Sequence, residues 1–209
     1  MLRLVSIGLI LWLSGCTSVS PLTPQVTYYL LDDTPQESQT TQTNANPIQV
    51  SRIVVPEYLN RANLVMRKSN KEMLFANYHS WADSLPQAMQ RVLVQNLNET
   101  ANAVKYTRHC PANQCAQLRL IVDHFYPTED GQVVLAGSYF YTKNTSATAP
   151  EPFVLTRDLE NGGYNEAIQR MRELLSDLAK QIEQSQSSKR GHQSGDHTAP
   201  SVENAGVVF

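Results

Sequence analysis

Residues 164–182 constrain the fold of this chain more than any other stretch. Tyr164, Ile168, Met171, Leu174, Leu175, Leu178 and Ile182 recur at helical spacing, and Arg, Glu, Gln and Lys fill the opposite side. The pattern predicts an amphipathic helix with one wide apolar stripe, which must be buried against something. The residues before it read as its partner. Leu118, Leu120 and Val122 alternate with Arg119 and Asp123, residues 132–141 are rich in β-branched and aromatic side chains, and Phe153, Leu155 and Leu159 continue the alternation until Asn161-Gly162-Gly163 breaks it. Period-two runs of this kind form half-buried strands, and the turn formers of residues 126–131 predict a hairpin between the first two. A one-sided helix after such strands packs on their sheet.

The first half of the chain supplies more of the same. Residues 28–31 and 48–55 have strand character, and residues 64–66 and 73–75 are short apolar runs around Lys68-Ser69-Asn70-Lys71, a hairpin turn. A first helix is signalled by Asp83-Ser84-Leu85-Pro86-Gln87: a capping side chain, a proline in the first turn where no donor is lost, and Gln87 placed for a capping box on Ser84. Leu85, Met89, Val92, Leu93 and Leu97 then share one face. The expected fold class is α/β: a single domain, residues 28–183, with a mixed β-sheet and two main helices packed on it. Residues 32–47 read as a polar loop. Residues 184–209 lack an apolar period and are expected to be a disordered tail, although Val207-Val208-Phe209 is also conceivable as a peptide that adds to a sheet edge.

The N-terminus places the domain in the cell. Arg3 precedes an almost unbroken apolar run at residues 4–13, and Leu13-Ser14-Gly15-Cys16 follows. Ten apolar residues span about 15 Å as a helix, roughly half a bilayer core, so residues 1–15 read as a cleaved lipoprotein signal and not as a permanent span. Cys16 is the expected lipidation site, and an ordinary secretory signal with an incidental cysteine is the alternative. Two or more acyl chains make attachment long-lived, since each buried methylene contributes about 0.8 kcal/mol. Residues 16–27 are then a lipidated tether, and about eleven residues reach at most about 35–40 Å. Thr17, not Asp, follows the cysteine, which by bacterial sorting logic points to the outer membrane, periplasmic face.

Two further cysteines, Cys110 and Cys115, flank a short loop beside His109. An oxidising compartment favours a disulfide between them. A metal site with His109 is the alternative, but the local sequence offers no fourth ligand. Catalysis is not signalled. There is no Gly-x-Ser-x-Gly elbow, no His-Glu-x-x-His and no Gly-rich phosphate loop. Asp123 and His124, adjacent on a strand, are expected to point to opposite faces and so not to form a dyad. With 17 Lys+Arg against 19 Asp+Glu, the chain has no excess positive charge for nucleic acid. The expectation is a binding or assembly protein, not an enzyme, with no cofactor and no metal.

Particular residues carry a family likeness. Val55-Pro56-Glu57-Tyr58-Leu59, the run from Phe75 through Trp81-Ala82-Asp83-Ser84-Leu85, the helix end Val94-Gln95-Asn96-Leu97, Tyr28-Tyr29-Leu30 and Gly163-Tyr164 together resemble the PqiC family. These are paraquat-inducible intermembrane-transport lipoproteins, also described as ABC-type transport auxiliary lipoproteins. The Cys110–Cys115 loop and the long tail depart from that pattern. The resemblance implies an α/β domain held at the outer membrane through Cys16, acting in a PqiABC-like lipid-transport complex by docking to an MCE-type tunnel protein of the inner membrane, and homo-oligomeric. The alternative is a structural or assembly lipoprotein of the envelope without a transport role. Tyr58 and Trp81 are candidates for a partner surface, with a core role as the competing reading.

Overall fold

The computed structural model describes residues 24–31, 46–101, 104–111 and 115–193. The expected signal, Cys16, most of the tether, the 32–47 loop apart from its last residues, and residues 194–209 lie outside them. Within the described residues, the chain runs β1 (Thr27–Tyr29), β2 (Ile48–Val50), a 3-10 turn (Glu57–Leu59), β3 (Asn63–Arg67), β4 (Met73–Trp81), α1 (Leu85–Thr100), β5 (Tyr106–Thr107), β6 (Ala116–Pro127), β7 (Gln132–Lys143), β8 (Ser146–Ala147), β9 (Glu151–Asp158) and α2 (Tyr164–Gln193). The α/β class is as expected, but the strands divide into two sheets. A three-stranded sheet has the order β1-β4-β3, and a six-stranded sheet has the order β5-β2-β6-β7-β8 with β9 also paired to β7.

The larger sheet grows around the β6–β7 hairpin. Thr128 and Gly131, the latter at φ +79°, close its turn, with the Thr128 N–H donating to the Gln132 carbonyl at 2.6 Å. β9 lies antiparallel to β7 from Gln132↔Asp158 to Tyr139↔Glu151, and β2 lies parallel to both β5 and β6. One face of this sheet is sealed. Leu118, Leu120, Val122, Val133, Leu135, Tyr139 and Phe153 are buried there beneath Met171, Leu174, Leu175, Leu178 and Ile182 of α2, while α1 buries Leu85, Met89, Val92, Leu93 and Leu97 beside it. Apolar burial of this kind contributes about 25 cal/mol per Å². The predicted helical stripes are therefore the inner wall of the core.

Three expectations are corrected. The helix does not stop near residue 183. α2 continues to Gln193, because no glycine or proline intervenes before Gly191, and residues 185 and 189 have something to hold: the Ser185 hydroxyl donates to Glu151 Oε2 at 2.7 Å, the Lys189 ammonium pairs with Glu151 Oε1, and the Tyr139 hydroxyl donates to Oε2 at 2.9 Å. The capping box also fails. The Ser84 side chain makes no capping bond. Instead the Ser84 carbonyl accepts from the N–H groups of Gln87 and Ala88, and Asp83 takes both the Ser84 N–H at 2.7 Å and the Arg91 guanidinium at 2.7 Å.

The third correction concerns β6. Its pairing with β7 slips between Val122 and His124, so Asp123 is the extra residue of a bulge. Both Asp123 and His124 are then exposed, where simple alternation placed them on opposite faces.

Candidate functional site

The smaller sheet is where the packing is incomplete. β4 advances five positions, from Phe75 to Ser80, where β3 advances two, from Val65 to Asn63. The Asn63 side chain spans the irregularity by donating to the Ala76 carbonyl at 2.9 Å. A shift by an odd number of residues changes which side chains face inward. Leu74 before the irregular stretch, Ala76 within it and Trp81 after it line the same cleft.

This cleft has a volume of about 150 Å³ and lies between the β3–β4 hairpin and the first turns of α2. Leu64, Val65 and Met66 form one wall. Phe125 and Pro127 from β6 close the floor, and Tyr164, Ala167, Ile168 and Met171 form the other wall. The lining is mostly hydrocarbon and aromatic: its side-chain O–H and N–H groups are the Thr128 hydroxyl, already engaged with the main chain of Gln132, the Tyr164 hydroxyl and the Trp81 indole N–H.

The start of α2 is held in position by a carboxylate. Glu166 accepts the N–H groups of Glu160 and Asn161 at 2.8 Å each and of Gly162 at 2.7 Å. These donors, led by Glu160, hold its carboxyl below the usual range, and Arg170 adds to the effect. Gly162 and Gly163, at φ +73° and +89°, turn the chain into the helix. A side chain at either position would be strained.

An aromatic group closes one end. The His79 ring stacks on Tyr164 with centroids 3.7 Å apart, and His79 Nδ1 shares a hydrogen bond of 2.9 Å with the Tyr29 hydroxyl. β1 thus brings the chain from its tether directly to the end of the cleft. Its alternate side chains, Val26, Tyr28 and Leu30, are exposed on the outer side.

The two aromatic candidates part company. Trp81 is only 7% exposed, lies in the core, and lines the cleft, so its indole does not belong to an exposed partner surface. The reason is local: its main-chain N–H is bonded to the Ala62 carbonyl at 2.6 Å, which keeps β4 against the chain before β3 and turns the ring inward. Tyr58 is half-buried. Its hydroxyl donates to the Asp123 carbonyl at 2.6 Å, and burial, with Tyr126 and Asp123 nearby, pushes its pKa up to about 12. It anchors the 3-10 turn to the β6 bulge, beside His124 and Tyr126, which share a hydrogen bond of 3.1 Å.

Cys110 and Cys115 are joined, with Cα atoms 6.3 Å apart. A buried carboxylate, Glu183, accepts from the Tyr106 hydroxyl, whose pKa is driven well upward, first by burial. Among the described residues, no group of three or more His, Cys, Asp and Glu side chains could hold a metal ion, and no helix is long and apolar enough to cross a membrane. What the cleft can do chemically is bind apolar matter.

A family model described as the ABC-type transport auxiliary lipoprotein component matches residues 28–183. Among solved structures, the fold is similar to that of an uncharacterized protein at 22% identity and a TM-score of 0.67, covering 77% of this chain and 98% of the other. It is also similar to a Xanthomonas campestris protein assigned to family DUF330, at 11% identity and a TM-score of 0.62, covering 81% and 99%. At such identities the likeness is one of fold. No curated protein matches.

Proposed function

The chain belongs to the ABC-type transport auxiliary lipoprotein component family, and from that premise we propose that it is the outer-membrane lipoprotein of a PqiABC-like intermembrane lipid-transport complex. In this reading Cys16 carries the acyl chains, the domain hangs on the periplasmic face, and it acts by docking to a periplasm-spanning MCE-type tunnel protein, with no catalytic step of its own. The observation that carries the reading is the match of the family model over residues 28–183. The short tether agrees with it: about eleven residues reach at most about 35–40 Å, so the domain stays near its membrane and a long partner has to come to it.

Self-association belongs to the same proposal. Val54, Ile121 and Val154 are exposed on the face of the larger sheet that no helix covers, with Val154 at 74%, and a closed ring built on such a face leaves a central opening for a tunnel. The test uses the chain from Thr17 onward, sized by light scattering with and without a purified MCE-type tunnel protein. Binding to that protein is the expected result. A strictly monomeric domain that does not bind it overturns the reading. The anchor is tested separately by the mass of the mature N-terminus, where an unmodified Cys16 thiol removes the lipoprotein assignment.

A further inference from the structure

We propose that the cleft between the β3–β4 hairpin and the start of α2 binds the hydrocarbon tail of a free membrane lipid, one chain at a time, with the headgroup left in water. The chemistry of the walls selects the ligand class. A peptide brings main-chain N–H and C=O groups that need partners, and a sugar or nucleotide brings more; the lining offers only the Thr128 hydroxyl, already bonded to Gln132, the Tyr164 hydroxyl and the Trp81 indole N–H, too few to pair a main chain or a sugar. A hydrocarbon asks for none. The size sets the extent of insertion: at about 150 Å³, the cleft matches cavities that accept a benzene-sized guest, so it holds the end of a chain and not a whole lipid. The way in is open. Gly163 lines the cleft, and nothing lies within 4 Å of where its side chain would project.

The source of the tail follows from where the chain comes from. Tyr29 of β1 touches His79 and Tyr164 at the end of the cleft, so the tether delivers the domain with this end within about 35–40 Å of residue 16. This part of the inference rests on the proposed anchor at Cys16. The anchor's own chains are held in the bilayer by that role, whereas the tails of free lipids surround it.

The test uses the chain from Thr17 onward, which keeps every described residue and lacks the acyl chains, purified without detergent. It is titrated with cis-parinaric acid, a fluorescent fatty acid, which is then displaced with phosphatidylglycerol. Ala76→Phe fills the cleft from its wall, and Leu74→Lys puts a charge at its exposed rim, where folding tolerates it. Saturable binding is expected, weakened at least about tenfold by Ala76→Phe and several-fold by Leu74→Lys, and unchanged by Val154→Ser on the far sheet face. Thermal melts identify any variant that has not folded, and Leu74→Lys alone then decides. Absence of saturable binding, or equal binding by folded Leu74→Lys, overturns the proposal. Binding that is lost in the acylated protein held in amphipol means that an anchor chain fills the cleft, and it overturns the free-lipid source. The mass of the mature N-terminus reports independently on the anchor, so failure of that reading is read apart from failure of the cleft.

Discussion

The two sheets touch at the bridge between Arg67 and Thr128, yet they are covered very differently. The six-stranded sheet presents an alternating apolar face to two helices, and that face is closed to solvent, with Leu118, Val133, Leu135, Leu175, Leu178 and Ile182 at or near zero exposure. The three-stranded sheet is faced only by the first turns of α2 and by residues of β6 such as Phe125 and Pro127, and its irregular β4 leaves a gap that no side chain of the described residues fills. Sealing a face requires regular alternation against a regular stripe. Where the alternation is broken by a bulge, side chains that would have interlocked are set apart, and the gap becomes a place for something else.

The widest expected difference between the two regions lies in truncation. Leu175→Ala, within the sealed core, should cost about 3 kcal/mol in urea unfolding, because the cavity left behind cannot collapse. Leu74→Ala, 44% exposed at the cleft rim, should stay within about 0.5 kcal/mol. Similar losses at both positions would erase the distinction.

A second probe asks how tightly the β6–β7 pair is packed at its bulge. A Cβ on Gly137 would lie 2.1 Å from the Ile121 carbonyl oxygen, a main-chain atom with no rotamer to change. Gly137→Ala should therefore cost about 2 kcal/mol or more, read as a lowered denaturation midpoint. Gly163→Ala, with open space around it but φ at +89°, should cost about 1 kcal/mol through backbone strain alone.

The disulfide loop lies outside both comparisons and should behave independently of them. Closing so short a loop contributes about 2 kcal/mol, so replacing Cys110 and Cys115 by Ser together should lower stability by that amount and keep the fold. Thiol labelling of the denatured, unreduced protein should find neither cysteine free.

The smallest effect sharpens the account of the cleft wall. Glu166 has a lowered pKa in the folded state because main-chain donors from residues 160–162 favour its charged form. Its contribution is then present above the unfolded carboxylate pKa, about 4.3, and is lost as pH falls through the lower folded value. Glu166→Gln should melt earlier than the unchanged protein at pH 7, and the two should converge once the pH has fallen below the folded value. A constant difference across that range would assign the effect to packing.

Much of the larger sheet is legible in the residues. The 126–131 turn, the alternation of Leu118, Leu120 and Val122, and the stripe from Ile168 to Ile182 each repeat a local rule several times, so one irregular residue does not hide it. The hairpin around residues 68–71 is legible for the same reason. The cleft is not. Its walls come from residues 64–76, 81–85, 125–128 and 159–171, and no one of these stretches looks different from a strand or helix that buries its face completely. Trp81 reads from the sequence as either a partner-surface or a core aromatic, Tyr164 as part of an ordinary helical stripe, and His79 carries no signal until Tyr29 and Tyr164 are placed beside it.

Local sequence determined the class of the fold, the two helices and the β6–β7 hairpin, and set the expectation of a membrane anchor at Cys16, because periodicity, turn chemistry and signal composition act over a few neighbouring residues. Tertiary structure decided the division into two sheets, the bulges at Asp123 and within β4, the inward turn of Trp81, the extension of α2 past residue 183 onto Glu151, and the cleft itself. Each depends on which distant groups meet: a hydrogen bond from Tyr58 to Asp123, a carboxylate at residue 151 facing a helix that begins at residue 164. Sequence spacing carries no information about such distances until the chain has closed on itself.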